Sequence, residues 1–115
     1  MSQGAWITYK RALAAIPTSD RYAEMVRHGT MSAGLYAPHE SDDQEPHDQD
    51  EVYVVKDGSG FFRIGDERQP FGPGDLLFVP AGVDHKFEDF TPNFSVWAIF
   101  YGPEDGESDG TPATE

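Results

Sequence analysis

The chain has 115 residues, a formal net charge of −13 at pH 7, an isoelectric point near 4.4 and no cysteine. That length predicts one domain, the lack of cysteine excludes disulfides and thiolate metal sites, and the acidity argues against nucleic acid, whose phosphates call for a basic surface. No apolar run approaches the ~20 residues of a membrane span, and the N-terminal stretch lacks the apolar segment of a signal peptide, so a cytoplasmic protein without a membrane partner is expected.

Residues 1–20 read as an N-terminal extension. Within it Lys10–Ile16 (KRALAAI) predicts a short helix, because Ala, Leu, Lys and Arg favour that state, and Pro17 stops it. Tyr22–His28 and Met31–Ala37 predict two strands around the break at Gly29-Thr30. Residues 39–50 form a polar loop punctuated by Pro38 and Pro46. The acidic residues are unevenly placed: seven lie in 39–51 and five in 103–115. The second group, without a basic residue, predicts a disordered, solvated tail over 103–115, after a domain spanning 21–102.

Glu51–Lys56 (EVYVVK) is rich in β-branched and aromatic residues and predicts a strand. Asp57-Gly58 predicts a hairpin, with Phe61–Ile64 as the returning strand. Gly65-Asp66-Glu67 turns into Arg68–Phe71, and Gly72-Pro73-Gly74 turns again. Leu76–Val79 (LLFV) is apolar throughout, the pattern of a strand buried on both faces. After Pro80-Ala81-Gly82 come His85–Asp89 and Phe94–Tyr101. Eight or more short strands with close Gly/Pro turns predict an all-β sandwich or barrel with a short N-terminal helix. Tyr53, Phe61, Phe78, Phe87 and Trp97 are expected in its core. Arg63, if inward, would be an anchor for an acidic ligand.

Two stretches carry chemistry. On one straight strand His47 and Glu51 would stand ~13 Å apart at ~3.3 Å per residue, whereas metal–ligand bonds are ~2.0–2.2 Å. Both can hold one ion only if Asp48-Gln49-Asp50 turns, with His47 ending one strand and Glu51 starting the next. From Glu51 the period of two places Tyr53 and Val55 on the same inward side. His85 starts a further strand after the Pro80–Asp84 turn. Two imidazoles and a carboxylate with open positions form the pattern of a non-haem Fe(II) site, and also suit Mn, Ni or Zn.

These residues resemble the cupins, small jelly-roll β-barrels (double-stranded β-helices). The second half of the family's first motif, G-x5-H-x-H-x3,4-E-x6-G, is matched by His47-x3-Glu51-x6-Gly58. The second motif, G-x5-P-x-G-x2-H-x3-N, is matched by Gly74-x5-Pro80-x-Gly82-x2-His85, with Asp89 at the last position. The first histidine of the family pair falls at Glu45, which can still ligate as a carboxylate; Gln44, or His39 with a differently bent loop, is the alternative fourth ligand.

The resemblance implies a divalent transition metal (Fe(II), Mn, Ni or Zn) held by His47, Glu51, His85 and Glu45 or Gln44. It implies a metal-dependent enzyme of dioxygenase, isomerase or lyase type on a small organic substrate, with a non-catalytic small-molecule or metal-sensing module as the alternative. Tyr53 is the nearest inward-facing candidate for an acid or base. The resemblance also implies a homodimer, for which Trp6, Ile7 and Tyr9 offer an apolar contact.

Overall fold

The computed structural model describes residues 4–108. Thr8 opens helix α1 (Tyr9–Ala15) by accepting the Arg11 amide on its hydroxyl at 3.1 Å. This cap starts the helix one residue earlier than composition predicts. The backbone turns extended at Ile16, ahead of Pro17.

Eight strands follow: β1 (Tyr22–His28), β2 (Met31–Tyr36), β3 (Asp50–Asp57), β4 (Gly60–Ile64), β5 (Glu67–Phe71), β6 (Leu76–Val79), β7 (His85–Glu88) and β8 (Ser95–Tyr101). They form a five-stranded sheet, β1-β2-β8-β3-β6, and a three-stranded sheet, β5-β4-β7, with every pairing antiparallel. Among the described residues no strand pair joins the two sheets, so the expected barrel is here two sheets facing each other rather than a closed ring. Tyr53 and Val55 of β3, Val96 and Ala98 of β8, Phe62 of β4, Phe71 of β5 and Phe87 of β7 fill the space between them. The rings of Phe87 and Phe94 stand 4.7 Å apart and those of Tyr53 and Phe87 4.9 Å, in edge-on or tilted contacts favoured by aromatic quadrupoles.

Several expectations fail because of what lies opposite the element. Asp57-Gly58 does not close a hairpin: β3 and β4 belong to different sheets, and the turn carries the chain from one to the other. Gly58 adopts φ +87°, and a Cβ there would lie 2.5 Å from Phe94 Cα, so the crossing passes hard against the end of β8. Strand β6 is not buried on both faces. It is a sheet edge, paired only with β3, and Leu76 and Phe78 are 66% and 47% exposed. Helix α1 packs against β1 and β2 and leaves the β6 end of that outer face uncovered.

Finally, Phe62 rather than Phe61 enters the core. Phe61 and Arg63 share the outer face of β4, where the Arg68 guanidinium lies 4.0 Å from the Phe61 ring centroid. Arg63 pairs there with Asp84 and Glu88 at 3.0 and 3.2 Å, so it is no ligand anchor.

Trp97 likewise faces outward, half-buried, with the Tyr9 ring edge-on to it at 6.4 Å between centroids. Tyr9 donates or accepts a hydrogen bond with Ser95 Oγ at 3.0 Å, so this part of the extension covers its own sheet. Trp6 is 89% exposed. Of the expected tail, residues 103–108 are docked rather than free: Asp105 N donates to Asp48 O, and Glu107 N to Asp50 Oδ2. Residues 109–115 lie outside the described residues.

Candidate metal centre

Glu51 is the second residue of β3 and points between the sheets with 1% of its surface exposed. His85 opens β7 and is equally buried. His47 is not at a strand end as expected; it sits in the loop before β3. Its carbonyl accepts the Gly82 amide at 2.7 Å, so the turn after β6 holds the loop in place. The two sequence motifs are thereby joined through their backbones. Asp50 adds a second tie, with Oδ1 accepting the Ala81 amide at 2.9 Å.

His47, Glu51 and His85 each offer a ligand atom, and these atoms all lie within 4.8 Å of one another. Glu51 Oε1 is 3.5 Å from His85 Nε2 and 3.7 Å from His47 Nε2. Two ligands ~2.1 Å from one ion stand roughly 3.0–3.4 Å apart at octahedral or tetrahedral angles, so these spacings lie just above that range and the side chains would close slightly on a shared ion. Glu51 Oε1 has no hydrogen-bond partner although it is fully buried. A buried carboxylate oxygen without a donor is costly, and a cation between it and the imidazoles would remove that cost. His85 Nδ1 lies 2.9 Å from the Val83 carbonyl, which can only accept; the ring proton therefore sits on Nδ1 and Nε2 faces Glu51 as a lone pair. The donor set fits a divalent transition metal.

Charge acts in opposite directions on the two imidazoles. Burial pushes the His47 imidazole below its usual range, against the pull of Glu51, and so favours the neutral ligand form. His85 is raised: burial pulls it down, but the Glu51 carboxylate and the Val83 carbonyl outweigh that.

The fourth position differs between the two expected residues. Glu45 is exposed and stands outside the cluster. Gln44 turns inward, and its Oε1 lies 3.1 Å from His47 Nε2 and accepts the Tyr53 hydroxyl at 2.9 Å. Its amide is oriented by Asp42, whose Oδ2 accepts Gln44 Nε2 at 2.7 Å. Because a carboxylate only accepts, the amide nitrogen must face Asp42 and the oxygen must face the centre.

Asp42 is itself buried and accepts three further bonds, from Tyr36 Oη, Gln44 N and Phe87 N. Sequence reasoning passed over it as one more loop acid. Its Asx turn onto Gln44 N was readable locally; its bond to Phe87, 45 residues away, was not.

The Tyr53 hydroxyl also stands 3.2 Å from His85 Nε2. Burial, and then the Glu51 charge, hold its pKa well above that of a free phenol. Tyr53 is therefore a hydrogen-bond donor at the centre and not a base. A cavity of about 500 Å³ adjoins it, lined by Arg21, Tyr22, Tyr36, Gln44, His47, Glu51 and Tyr53 among others. That volume suits a small organic molecule. His39 also borders the cavity, but it is exposed and outside the ligand cluster.

Two facing antiparallel sheets with a His-Glu-His cluster between them define a β-rich protein with a possible metal site. Residues 34–91 match the Cupin_2 family, described as the cupin domain, and the chain belongs to it. An uncharacterized protein of Streptomyces coelicolor is 40% identical over 85 residues, covering 72% of this chain and 81% of that protein. The fold is shared with a protein from Neisseria meningitidis (TM-score 0.68, 22% identity, 85% of this chain and 100% of that one). It is shared too with a Cupin 2 conserved barrel domain protein from Salinispora arenicola (TM-score 0.62, 18% identity, 89% and 91%). Acireductone dioxygenase 1 of Coprinopsis cinerea is 47% identical over 47 residues, and the chain spans 26% of its length.

Proposed function

We propose that this cupin binds a divalent transition metal (Fe(II), Mn, Ni or Zn) through His47, Glu51, His85 and the Gln44 amide oxygen, and acts as a metal-dependent enzyme on a small organic substrate. The observation that carries this is the buried, unpartnered Glu51 Oε1 between two imidazoles. When bound, such an ion supplies a Lewis acid with open positions for substrate oxygens and, if iron, the electrons for dioxygen chemistry. A dioxygenase is favoured over an isomerase or lyase by the partial likeness to acireductone dioxygenases.

The chain's own residues would divide the remaining work. Tyr53 donates a hydrogen bond beside His85, where a substrate oxygen gaining negative charge would be stabilised. Phe62 and Phe87 wall the inner side of the site and keep water from it. Gln44, oriented by Asp42, completes the ligand set without adding charge.

The connectivity is that of a cupin jelly roll. We further assign a cytoplasmic homodimer, in which a second copy covers the exposed Leu76 and Phe78 on the β6 edge.

Elemental analysis of untagged protein, followed by oxygen-uptake assays on enediols, diketones and hydroxy acids, tests the reading. About one metal per chain, lost in both His47→Ala and His85→Ala, is expected. Full metal content in both variants refutes the ligand set. A full site without turnover shifts the assignment to the non-catalytic binding or sensing module.

A further inference from the structure

His47 and Glu51 can share an ion only because the chain bends between them, which brings His47 Nε2 to 3.7 Å from Glu51 Oε1. Among the described residues no backbone hydrogen bond closes Asp48-Gln49-Asp50 from within. Each of the three is held from outside instead. The Asp48 carbonyl accepts the Asp105 amide at 2.7 Å. Gln49 Nε2 donates to Thr30 O and to Gly102 O, both at 2.8 Å. Asp50 Oδ2 accepts the Glu107 amide at 2.8 Å. All three residues are thus tied to the segment that leaves β8.

Sheet register dictates this placement. Asp50 pairs with Tyr101 and Glu51 with Phe100, so a chain leaving β8 passes beside the residues that precede Glu51. Gly102 N donates to Thr30 Oγ1 at 3.1 Å and fastens the exit to the turn between β1 and β2.

The backbone of the segment is shaped to its seat. Gly106 N closes a turn onto Pro103 O at 3.1 Å. Asp105 is left-handed, φ +70°, which is costly for a residue with a side chain. Gly106 is left-handed too, and a Cβ on it would lie 2.9 Å from Asp50 Oδ1 and 3.2 Å from Ala81 Cβ. Asp50 cannot swing aside, because it is buried and its two oxygens hold the Ala81 and Glu107 amides. Beyond Ala81, the Gly82 amide holds the His47 carbonyl. One carboxylate therefore joins the segment, the turn after β6 and the start of β3 into a block that carries His47 and Glu51.

We propose that residues 102–107 are a positioning strap for the metal centre. By holding Asp48, Gln49 and Asp50 they set the separation of His47 and Glu51, and bound metal in turn tightens the strap. This rests on the metal reading and adds to it a control on the site's affinity. A bend that is already ordered spares the ion the cost of ordering it, and groups that orient a metal ligand change affinity about 10- to 100-fold. Linkage makes the coupling reciprocal: metal protects the strap by the factor that the strap adds to metal affinity.

The test is competitive Zn(II) titration of the full chain and of two strap variants, with amide hydrogen exchange followed on the same proteins. Gly106→Val drives a side chain against Asp50, and Glu107→Pro removes the amide that Asp50 accepts. Neither residue lies in a strand, so both variants should fold, with the Val96 and Ala98 amides of β8 protected as in wild type. Each should weaken Zn(II) binding at least about tenfold. Glu107→Gln keeps the amide and removes only a charge, so it should stay within about twofold of wild type. Zn(II) should slow exchange of the Asp105 and Glu107 amides by the factor in affinity that the variants lose.

If wild type binds Zn(II) and both strap variants bind it equally well, or Glu107→Gln loses as much as Glu107→Pro, the strap is wrong and the metal reading stands. Loss of β8 protection in both variants would make the segment part of the fold and overturn a strap that acts on the site. If wild type binds no Zn(II), the metal reading fails. The strap is then judged in that metal-free protein on the Gly82 amide, which reports the seat of His47. Faster exchange there in Gly106→Val, with β8 unchanged, would support the strap, and unchanged exchange would overturn it.

Discussion

Asp42→Asn is the most informative single change, because it keeps shape and removes half of an acceptor. Asp42 Oδ1 accepts Tyr36 Oη at 2.7 Å and Gln44 N at 3.1 Å, and Oδ2 accepts Gln44 Nε2 at 2.7 Å and Phe87 N at 2.9 Å. An asparagine presents one oxygen, so one side must meet two donors with an N–H. If the new amide nitrogen takes the Oδ2 side, the buried Phe87 N–H loses its acceptor, and Gln44 must flip to present its oxygen outward. The flip would aim an N–H at His47 and Tyr53, where the wild type has an acceptor.

An unsatisfied buried donor costs about 1–3 kcal/mol, and the lost charge assistance adds to it, so roughly 2–4 kcal/mol is expected. For a domain of this size that is about 8–16 °C in melting temperature. Metal affinity should fall about 10- to 100-fold, as for other residues that orient a ligand. Thermal unfolding of metal-free protein by circular dichroism reads the first quantity and competitive metal titration the second. Asp43→Asn, at an exposed neighbour, is the control and should stay within ~0.5 kcal/mol of wild type. An Asp42→Asn protein that melts within two degrees or so of wild type, with unchanged metal affinity, would refute the relay from Asp42 through Gln44 to the centre.

Glu51→Gln should cut metal affinity more than about 100-fold, yet leave the metal-free protein as stable as wild type or more so, since the buried Oε1 it replaces has no partner; a large loss of metal-free stability would mean that Glu51 is structural. Gly34→Ala would put a Cβ 2.4 Å from the Ala23 carbonyl, which is backbone and cannot swing aside, and should cost roughly 1–3 kcal/mol in chemical denaturation; a neutral result would show that β1 can move off β2. Phe78→Glu, on the exposed β6 edge, should convert a dimer to a monomer in sedimentation at micromolar concentration with little change in folding stability. A wild-type protein that is already monomeric there would rule out the assembly.

Much of the cupin identity was legible because its determinants are local. The β-branched run at Glu51–Lys56, the Gly/Pro turns and the spacing of His47, Glu51 and His85 each express a backbone preference of a few adjacent residues. Strand positions followed, and the structure brings those three side chains together.

Direction was not legible. Period two separates the faces of β4, but Phe61 and Phe62 are both apolar, and only the facing sheet decides that Phe62 goes inward. Asp57-Gly58 specifies a reversal, not which sheet receives the returning chain; Gly58 packed against Phe94 decides that. An apolar LLFV run is compatible with a buried strand or an edge; the sheet order makes β6 an edge, and helix α1, packed on β1 and β2, leaves Leu76 and Phe78 bare. The choice between Glu45 and Gln44 belongs to a loop whose path is set by Asp42 on Phe87 N and by His47 O on Gly82 N. The sequence by itself thus determined the family and the three ligand candidates, because turn chemistry and strand propensity act over a few residues. Only the tertiary structure decided the inward faces and the Asp42–Gln44 relay, because contacts across tens of residues set where a side chain points.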